Sequence, residues 1–181
     1  RAMVLYPMNA LVEDQIVRLR KALDSPAAHE AMDKHLNGNR IFFGRYTGAT
    51  KVTGWRQHPR LHSHKERRSA QSRTEELRGY LCGLDATQFA ARKEGLKKAD
   101  NSLQYNFPNA RGNEVVSRWD MQRHPPDILI TNTSMLSIML VREIDESMFA
   151  QTRNWLEQNP DSYFYLVLDE LHLQRGSAGT E

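Results

Sequence analysis

A chain of 181 residues, 39% hydrophobic and 26% charged, has an ordinary globular composition and enough material to bury one domain's core. No apolar run approaches the roughly 18 residues needed to cross a bilayer, residues 1–6 are too short an apolar stretch for a signal peptide, and the single cysteine, Cys82, excludes an internal disulfide and suits a reducing compartment, so a cytoplasmic location is expected. The net charge of +3 is modest but uneven: residues 51–73 carry seven basic side chains against Glu66 alone, whereas residues 143–181 carry eight acids against Arg153 and Arg175.

In chain order, residues 2–6 read as a short buried strand stopped by Pro7. Asn9 is a candidate N-cap for a helix to about Leu23, with Val12, Ile16, Leu19 and Leu23 as its buried stripe and Glu13, Asp14, Arg18 and Lys21 opposite. Residues 41–44 are a second strand candidate, followed by the turn residues Thr47-Gly48. Residues 51–124 are polar, contain several glycines and hold most of the basic charge; they read as an insertion on the domain surface rather than as core, with possible helices at 75–80 and 90–98. Order resumes at Pro125-Pro126-Asp127 with a strand at 128–130, a helix capped by Thr133 or Ser134 and ending near Val141, and a further helix over 145–159. Residues 163–168 are apolar throughout, as strands covered on both faces are. Strands alternating with helices predict an α/β domain with a mostly parallel sheet. Both ends read as cut, the first inside an apolar run and the last on Gly176-Ser177-Ala178-Gly179-Thr180-Glu181.

The strongest chemical signal is Leu166-Val167-Leu168-Asp169-Glu170-Leu171-His172. An apolar strand that ends in two adjacent carboxylates delivers them to the carboxyl edge of a sheet, where open α/β folds bind ligands. In nucleotide hydrolysis one carboxylate holds Mg²⁺ while a second group positions or deprotonates the attacking water. Neighbouring side chains at a strand end point to opposite sides, so the two acids can take different tasks. An acidic turn after a strand is also common, so the pair alone does not carry the assignment.

Its surroundings do. Asp-Glu-x-His after an apolar strand resembles motif II of the superfamily 2 helicases, in the DExH form of the DEAD/DEAH-box signature. Tyr6-Pro7-Met8-Asn9-Ala10-Leu11 with Gln15 resembles motif Ia. Thr47-Gly48 follows the second strand as in that superfamily, and Pro126-Asp127-Ile128-Leu129-Ile130-Thr131-Asn132 with Met135-Leu136 resembles the nucleic-acid-contacting motif upstream of motif II. Four motifs in family order cover both ordered flanks and leave the middle unmatched. Ser117-Arg118-Trp119-Asp120-Met121 and residues 174–181 are similar to a bacterial group that includes helicases of the DISARM anti-phage system and DNA-repair helicases related to MrfA.

The resemblance implies a RecA-like (P-loop NTPase) fold, incomplete here, with helices on both faces of a parallel sheet and a large polar insertion. Residues 1–181 would be part of the first motor domain, from motif Ia to motif II. It implies ATP and Mg²⁺ as cofactors, with Asp169 binding Mg²⁺ through water and Glu170 acting on the hydrolytic water. His172 would couple the nucleotide site to nucleic acid. Pro7, Asn9, Gln15, Thr47, Gly48, Thr131 and Asn132 would lie along one strand of nucleic acid, DNA rather than RNA, contacted through its sugar-phosphate backbone. Partner proteins of a phage-defence or repair complex are implied as well. No Gly-x-x-x-x-Gly-Lys-Ser/Thr occurs in the chain; the family pattern puts that phosphate-cradling loop upstream of Arg1, so the chain alone is expected not to hydrolyse ATP. The alternatives are an RNA-acting or remodelling ATPase of the same superfamily, and a nucleic-acid-binding module that has lost hydrolysis.

Two further constellations carry weaker signals. His58, His62 and His64 with Cys82 lack the tight paired spacing of zinc sites. Trp55, Tyr80, Tyr105, Phe107 and Trp119 could stack on bases, but packing of a small subdomain is the simpler use. The basic residues of 56–73 suggest a clamp or gate on a bound strand.

Overall fold

The computed structural model describes residues 1–98 and 101–170. Four short apolar segments form strands β1 (Ala2–Tyr6), β2 (Phe43–Tyr46), β3 (Ile128–Asn132) and β4 (Tyr165–Leu168). They pair in parallel throughout, in the order β2-β3-β1-β4, with Leu5 opposite both Thr131 and Leu168. The helices are α1 (Asn9–Leu23), α2 (Pro26–His35), α3 (His64–Lys98), α4 (Arg118–Arg123), α5 (Thr133–Val141) and α6 (Glu143–Gln158), with a 3₁₀ turn at Asn101–Asn106.

Side chains alternate along a strand, so each strand feeds two cores. Met3 and Leu5 of β1, Leu129 of β3 and Tyr46 of β2 pack with Met121, Met139 and Met148 of α4, α5 and α6. Tyr6, Ile130 and Phe43 face the other way and pack with Val12 and Ile16 of α1. The result is a mixed α/β fold whose parallel sheet has flanking helices on both faces.

The expected stripe on α1 is present, with Val12 and Ile16 fully buried and Leu19 and Leu23 packed against them. Asn9 is not its cap. Met8 holds the extended cap position and makes no side-chain cap bond, so Asn9 is the first helical residue. The cap of α5 is Asn132, whose side chain accepts from the Met135 N–H, rather than Thr133 or Ser134. Helix α2 was not anticipated, although Ser25 caps it and Pro26 opens it, a pairing that favours helix starts. The two short helices expected at 75–80 and 90–98 are parts of the single 35-residue α3. Its narrow buried line, Leu84, Gln88, Ala91 and Gly95, contains two small residues and a polar one, which is why no apolar stripe marked it.

Two expectations need correction. Residues 51–124 do not all lie outside the core. Residues 113–117 run beside β2, with Val115 N–H donating to Phe43 O at 2.8 Å, and α4 then buries Trp119 and Met121. Second, β4 is not covered on both faces. It is an edge strand among the described residues, and Leu166, Val167 and Leu168 are 54%, 46% and 45% exposed. Helices α5 and α6 pack over β1 and β3, which leaves β4 open.

The close approach beside β2 requires a glycine. A Cβ on Gly44 would stand 2.8 Å from both Met121 Cε and the Val115 carbonyl oxygen. Methionine can yield but the backbone oxygen cannot, so Gly44→Ala is expected to destabilise the fold by about 1–3 kcal/mol. Thermal denaturation of the variant checks this; an unchanged midpoint would show that residues 113–117 shift freely.

Candidate functional site

Because all four strands are parallel, their carboxyl ends meet at one edge: Tyr6-Pro7, Tyr46-Thr47, Asn132 and Leu168-Asp169. The neighbours β1 and β3 lead into helices on opposite faces, α1 on one and α5 on the other. In open parallel sheets such a divergence of neighbouring strands marks the usual ligand position. Asn132 Nδ2 donates to Asn9 Oδ1 at 2.6 Å between these two strand ends, and the uncapped first turn of α1 begins there. Free N–H groups in a first turn favour anions.

The two carboxylates sit beside it. Asp169 N–H donates to Leu5 O at 3.0 Å, which carries the β1–β4 ladder one residue beyond the strand and fixes Asp169 at the edge. Asp169 is half-buried. Burial, and next the nearby Asp169 carboxylate, push the Tyr6 phenol above its ordinary pKa, which records how close that acid lies to the end of β1. Glu170 is exposed, adopts a left-handed backbone (φ 49°), and donates its N–H to Asp169 Oδ1 at 3.0 Å. Adjacent in sequence, the acids thus differ in burial and in backbone conformation. Two hard oxygen donors at a strand end suit Mg²⁺, which is held by one or two carboxylates together with phosphate and water oxygens.

Of the other expected site residues, Pro7, Asn9, Gly48 and Asn132 reach the surface at this edge. Gln15 is half-buried one and a half turns along α1, and Arg18 is paired with Asp14 at 2.9 Å. Thr47 and Thr131 are 1% and 0% exposed. Thr131 Oγ1 donates to Tyr46 O at 2.6 Å, and the Thr47 N–H donates to Thr50 Oγ1 at 2.9 Å, so both threonines serve the strand ends internally. His172 lies outside the described residues. Among the described residues no group of three or more His, Cys, Asp and Glu is arranged to hold a metal ion. His58 Nδ1 accepts the N–H groups of Arg60 and Leu61 at 3.0 and 2.9 Å.

A buried network behind the Thr47-Gly48 turn escaped sequence reasoning. Arg118, 4% exposed, donates to Thr47 O at 2.6 Å and lays its guanidinium 5.0 Å from the Tyr46 ring. The Tyr46 hydroxyl donates to Asp145, and Gln122 Nε2 reaches that same carboxylate at 2.8 Å. Burial, then the Asp145 contact, push the Tyr46 phenol far above its ordinary value, so it remains a neutral donor. Burial also lowers the Arg118 pKa. The Ser117 to Met121 stretch stood out as part of a resemblance and as Ser117-x-x-Asp120, a helix-start pattern, neither of which gives Arg118 its partners; Ser117 Oγ indeed accepts the Asp120 N–H at 3.1 Å. Single polar residues at a strand end and a helix start leave no periodic trace.

No family model matches the chain, and no solved structure matches it. Among curated proteins the chain is similar to the Druantia protein DruE of Escherichia coli (strain UMEA 4076-1), at 33% identity over 210 aligned residues. The alignment takes in all of this chain and 11% of that protein, so the chain is homologous to one stretch of a far longer relative.

Proposed function

We propose that the intact protein is an ATP-driven motor of helicase superfamily 2 that translocates along or unwinds DNA. In this reading the chain is part of its first RecA-like, P-loop NTPase domain, supplying the hydrolysis carboxylates and part of the strand track. The observation that carries it is the delivery of Asp169 and Glu170, directly from a parallel strand, to the edge where the motif Ia-like Pro7 and Asn9 meet Asn132. The order of motifs along the chain agrees with that convergence.

Division of labour follows from the surroundings of each group. Asp169, half-buried and backbone-anchored, would hold Mg²⁺ through water; the ion, when bound with ATP, would neutralise charge on the phosphates. Glu170, exposed on its bend, would orient and deprotonate the attacking water. The first-turn N–H groups of α1, with Asn9, Asn132 and Gly48, would receive successive phosphates of one strand without reading bases. Thr47 and Thr131 would act from behind, by holding strand ends in place. The setting in phage defence or DNA repair, with partner proteins, rests on the likeness to DISARM and MrfA-related helicases, and homology to a Druantia protein of Escherichia coli supports a bacterial context.

The test is ATP turnover by the intact protein, alone and with single-stranded DNA, duplex DNA or RNA, followed by strand displacement on matched duplexes. Stimulation by DNA that disappears in Asp169→Asn is the expected result. Stimulation by RNA alone would transfer the activity to RNA, and absence of turnover under all conditions would overturn the motor reading.

A further inference from the structure

The basic segment 51–73 divides into two sets in the structure. One set has partners within the fold. Arg73 donates to Trp55 O at 2.8 Å and lies 6.0 Å from the Trp119 ring, whose Nε1 donates to Gly54 O at 2.7 Å. Lys51 stands 5.0 Å from the Tyr80 ring, and Arg60 pairs with Glu143 at 2.8 Å. These contacts, with the His58 turn, fix the loop between β2 and α3 against α4 and α6.

The other set is Arg56, Lys65, Arg67 and Arg68. All four are exposed, and among the described residues none is paired with a carboxylate. Some cations elsewhere on the surface do find acids, such as Arg18 with Asp14, Arg40 with Asp33, and both Lys97 and Lys98 with Glu94, while others, such as Lys21, Lys34 and Arg153, have no carboxylate partner among the described residues; what sets these four apart is their concentration in one short stretch. Arg56 and Arg67 line a cleft of about 580 Å³ between the loop and the first turns of α3, with Gln57, His62 and Gln71 as further polar walls and Glu66 as the one carboxylate in its lining. The loop enters this cleft from the Thr47-Gly48 turn, at the carboxyl edge of the sheet. Two cations in the wall of this polar groove, with Lys65 and Arg68 exposed on the same first turns of α3, outnumber Glu66 and give the surface a local positive field that favours a polyanion.

We propose that Arg56, Lys65, Arg67 and Arg68 form a second contact for the backbone of a single nucleic-acid strand, continuing outward from the sheet edge past Gly48. The inference rests on the nucleic-acid part of the functional reading and adds a footprint that no motif of the resemblance covers. It separates residues that are equal in sequence: Arg73 is held against Trp55 and Trp119 as part of the scaffold, and Arg60 is already paired with Glu143 at the surface.

The experiment uses the intact protein and a fluorescent oligothymidylate, with affinity measured across a salt series. The variant replaces Arg56, Lys65, Arg67 and Arg68 with glutamine. For single strands each phosphate contact contributes about 0.7 to the slope of log affinity against log salt, so losing four lowers its magnitude by up to about 3 and weakens binding at least about tenfold at low salt. A companion with lysine at Arg56, Arg67 and Arg68 retains the slope, which separates charge from local folding. A glutamine variant with unchanged affinity and slope overturns this inference alone. A wild-type protein that binds no oligonucleotide overturns both it and the nucleic-acid reading. Binding of polyglutamate that the glutamine variant loses, while its oligothymidylate affinity and salt slope stay as in wild type, would reassign the cleft to an acidic protein and overturn the inference too.

Discussion

Replacing Glu170 with glutamine in the intact protein lowers ATP turnover by about 100- to 10,000-fold, the usual contribution of a positioned general base, while nucleotide affinity stays within about twofold of wild type, as expected for a group that acts in the transition state. The change in barrier is about 3–5 kcal/mol at 1.36 kcal/mol per tenfold. Glutamine retains the shape of the side chain and its capacity to orient water, but it takes no proton. The backbone should be indifferent to the exchange, because the left-handed φ of 49° at this position is set by the bend after β4 and by the N–H donated to Asp169 Oδ1. A non-glycine residue in that region costs of order 1–3 kcal/mol, and such strain concentrates at sites where a side chain must be aimed.

Asp169→Asn separates the two roles. If Asp169 holds Mg²⁺, its loss weakens Mg²⁺-dependent nucleotide binding as well as turnover, so the two variants differ in affinity and not only in rate. Equilibrium binding of a fluorescent ATP analogue with and without Mg²⁺ measures that difference. Equal affinities in both variants, with equal rates, would mean that neither acid has the proposed task.

What could be read before folding follows from the range of each interaction. The strand at residues 2–6, the Val12-Ile16 stripe and the Ile128 strand are local patterns of period two or near four, and they appear where their periodicity puts them. The position of the acid pair was legible because residues that follow a buried strand emerge at the sheet edge, and Asp169 follows β4 there. The exposure of β4 was not legible: the same run says that its faces must be covered and does not say by which segment. Helix α3 hid because its buried line uses Ala91 and Gly95, residues that carry little hydrophobic signal. The threonines misled differently. Thr47 and Thr131 are small and polar, as strand-contacting residues are, yet Thr131 Oγ1 donates to the Tyr46 carbonyl and Thr47 Oγ1 accepts the Ala49 N–H within the fold. A residue type announces its chemistry but not its partner, and Arg118 and Asp145 are the extreme case, since each meets its partners across more than 70 residues or a change of helix.

The same limit governs a buried contact that joins distant segments. Arg20 and Glu114 lie 94 residues apart and form a buried bidentate pair, Nε to Oε2 at 2.5 Å and Nη2 to Oε1 at 2.9 Å, with side chains 4% and 2% exposed. Arg20 Nη1 also donates to Tyr105 O and Asn106 O at 3.2 and 3.0 Å, so one guanidinium joins α1, the 3₁₀ turn and the segment that borders β2. Arg20→Met leaves Glu114 charged in a site that water does not reach, and is expected to cost about 3–5 kcal/mol. Arg20→Met with Glu114→Leu removes the stranded charge and recovers most of that loss, although the Tyr105 and Asn106 carbonyls still lack their donor and hold back about 1–3 kcal/mol. Thermal and urea denaturation of the chain, with amide exchange at residues 105–115 as a local readout, gives the three values. If the double variant is as unstable as the single one, the pair's worth lies in the backbone carbonyls that Arg20 gathers, and Glu114 is an accessory to that clasp.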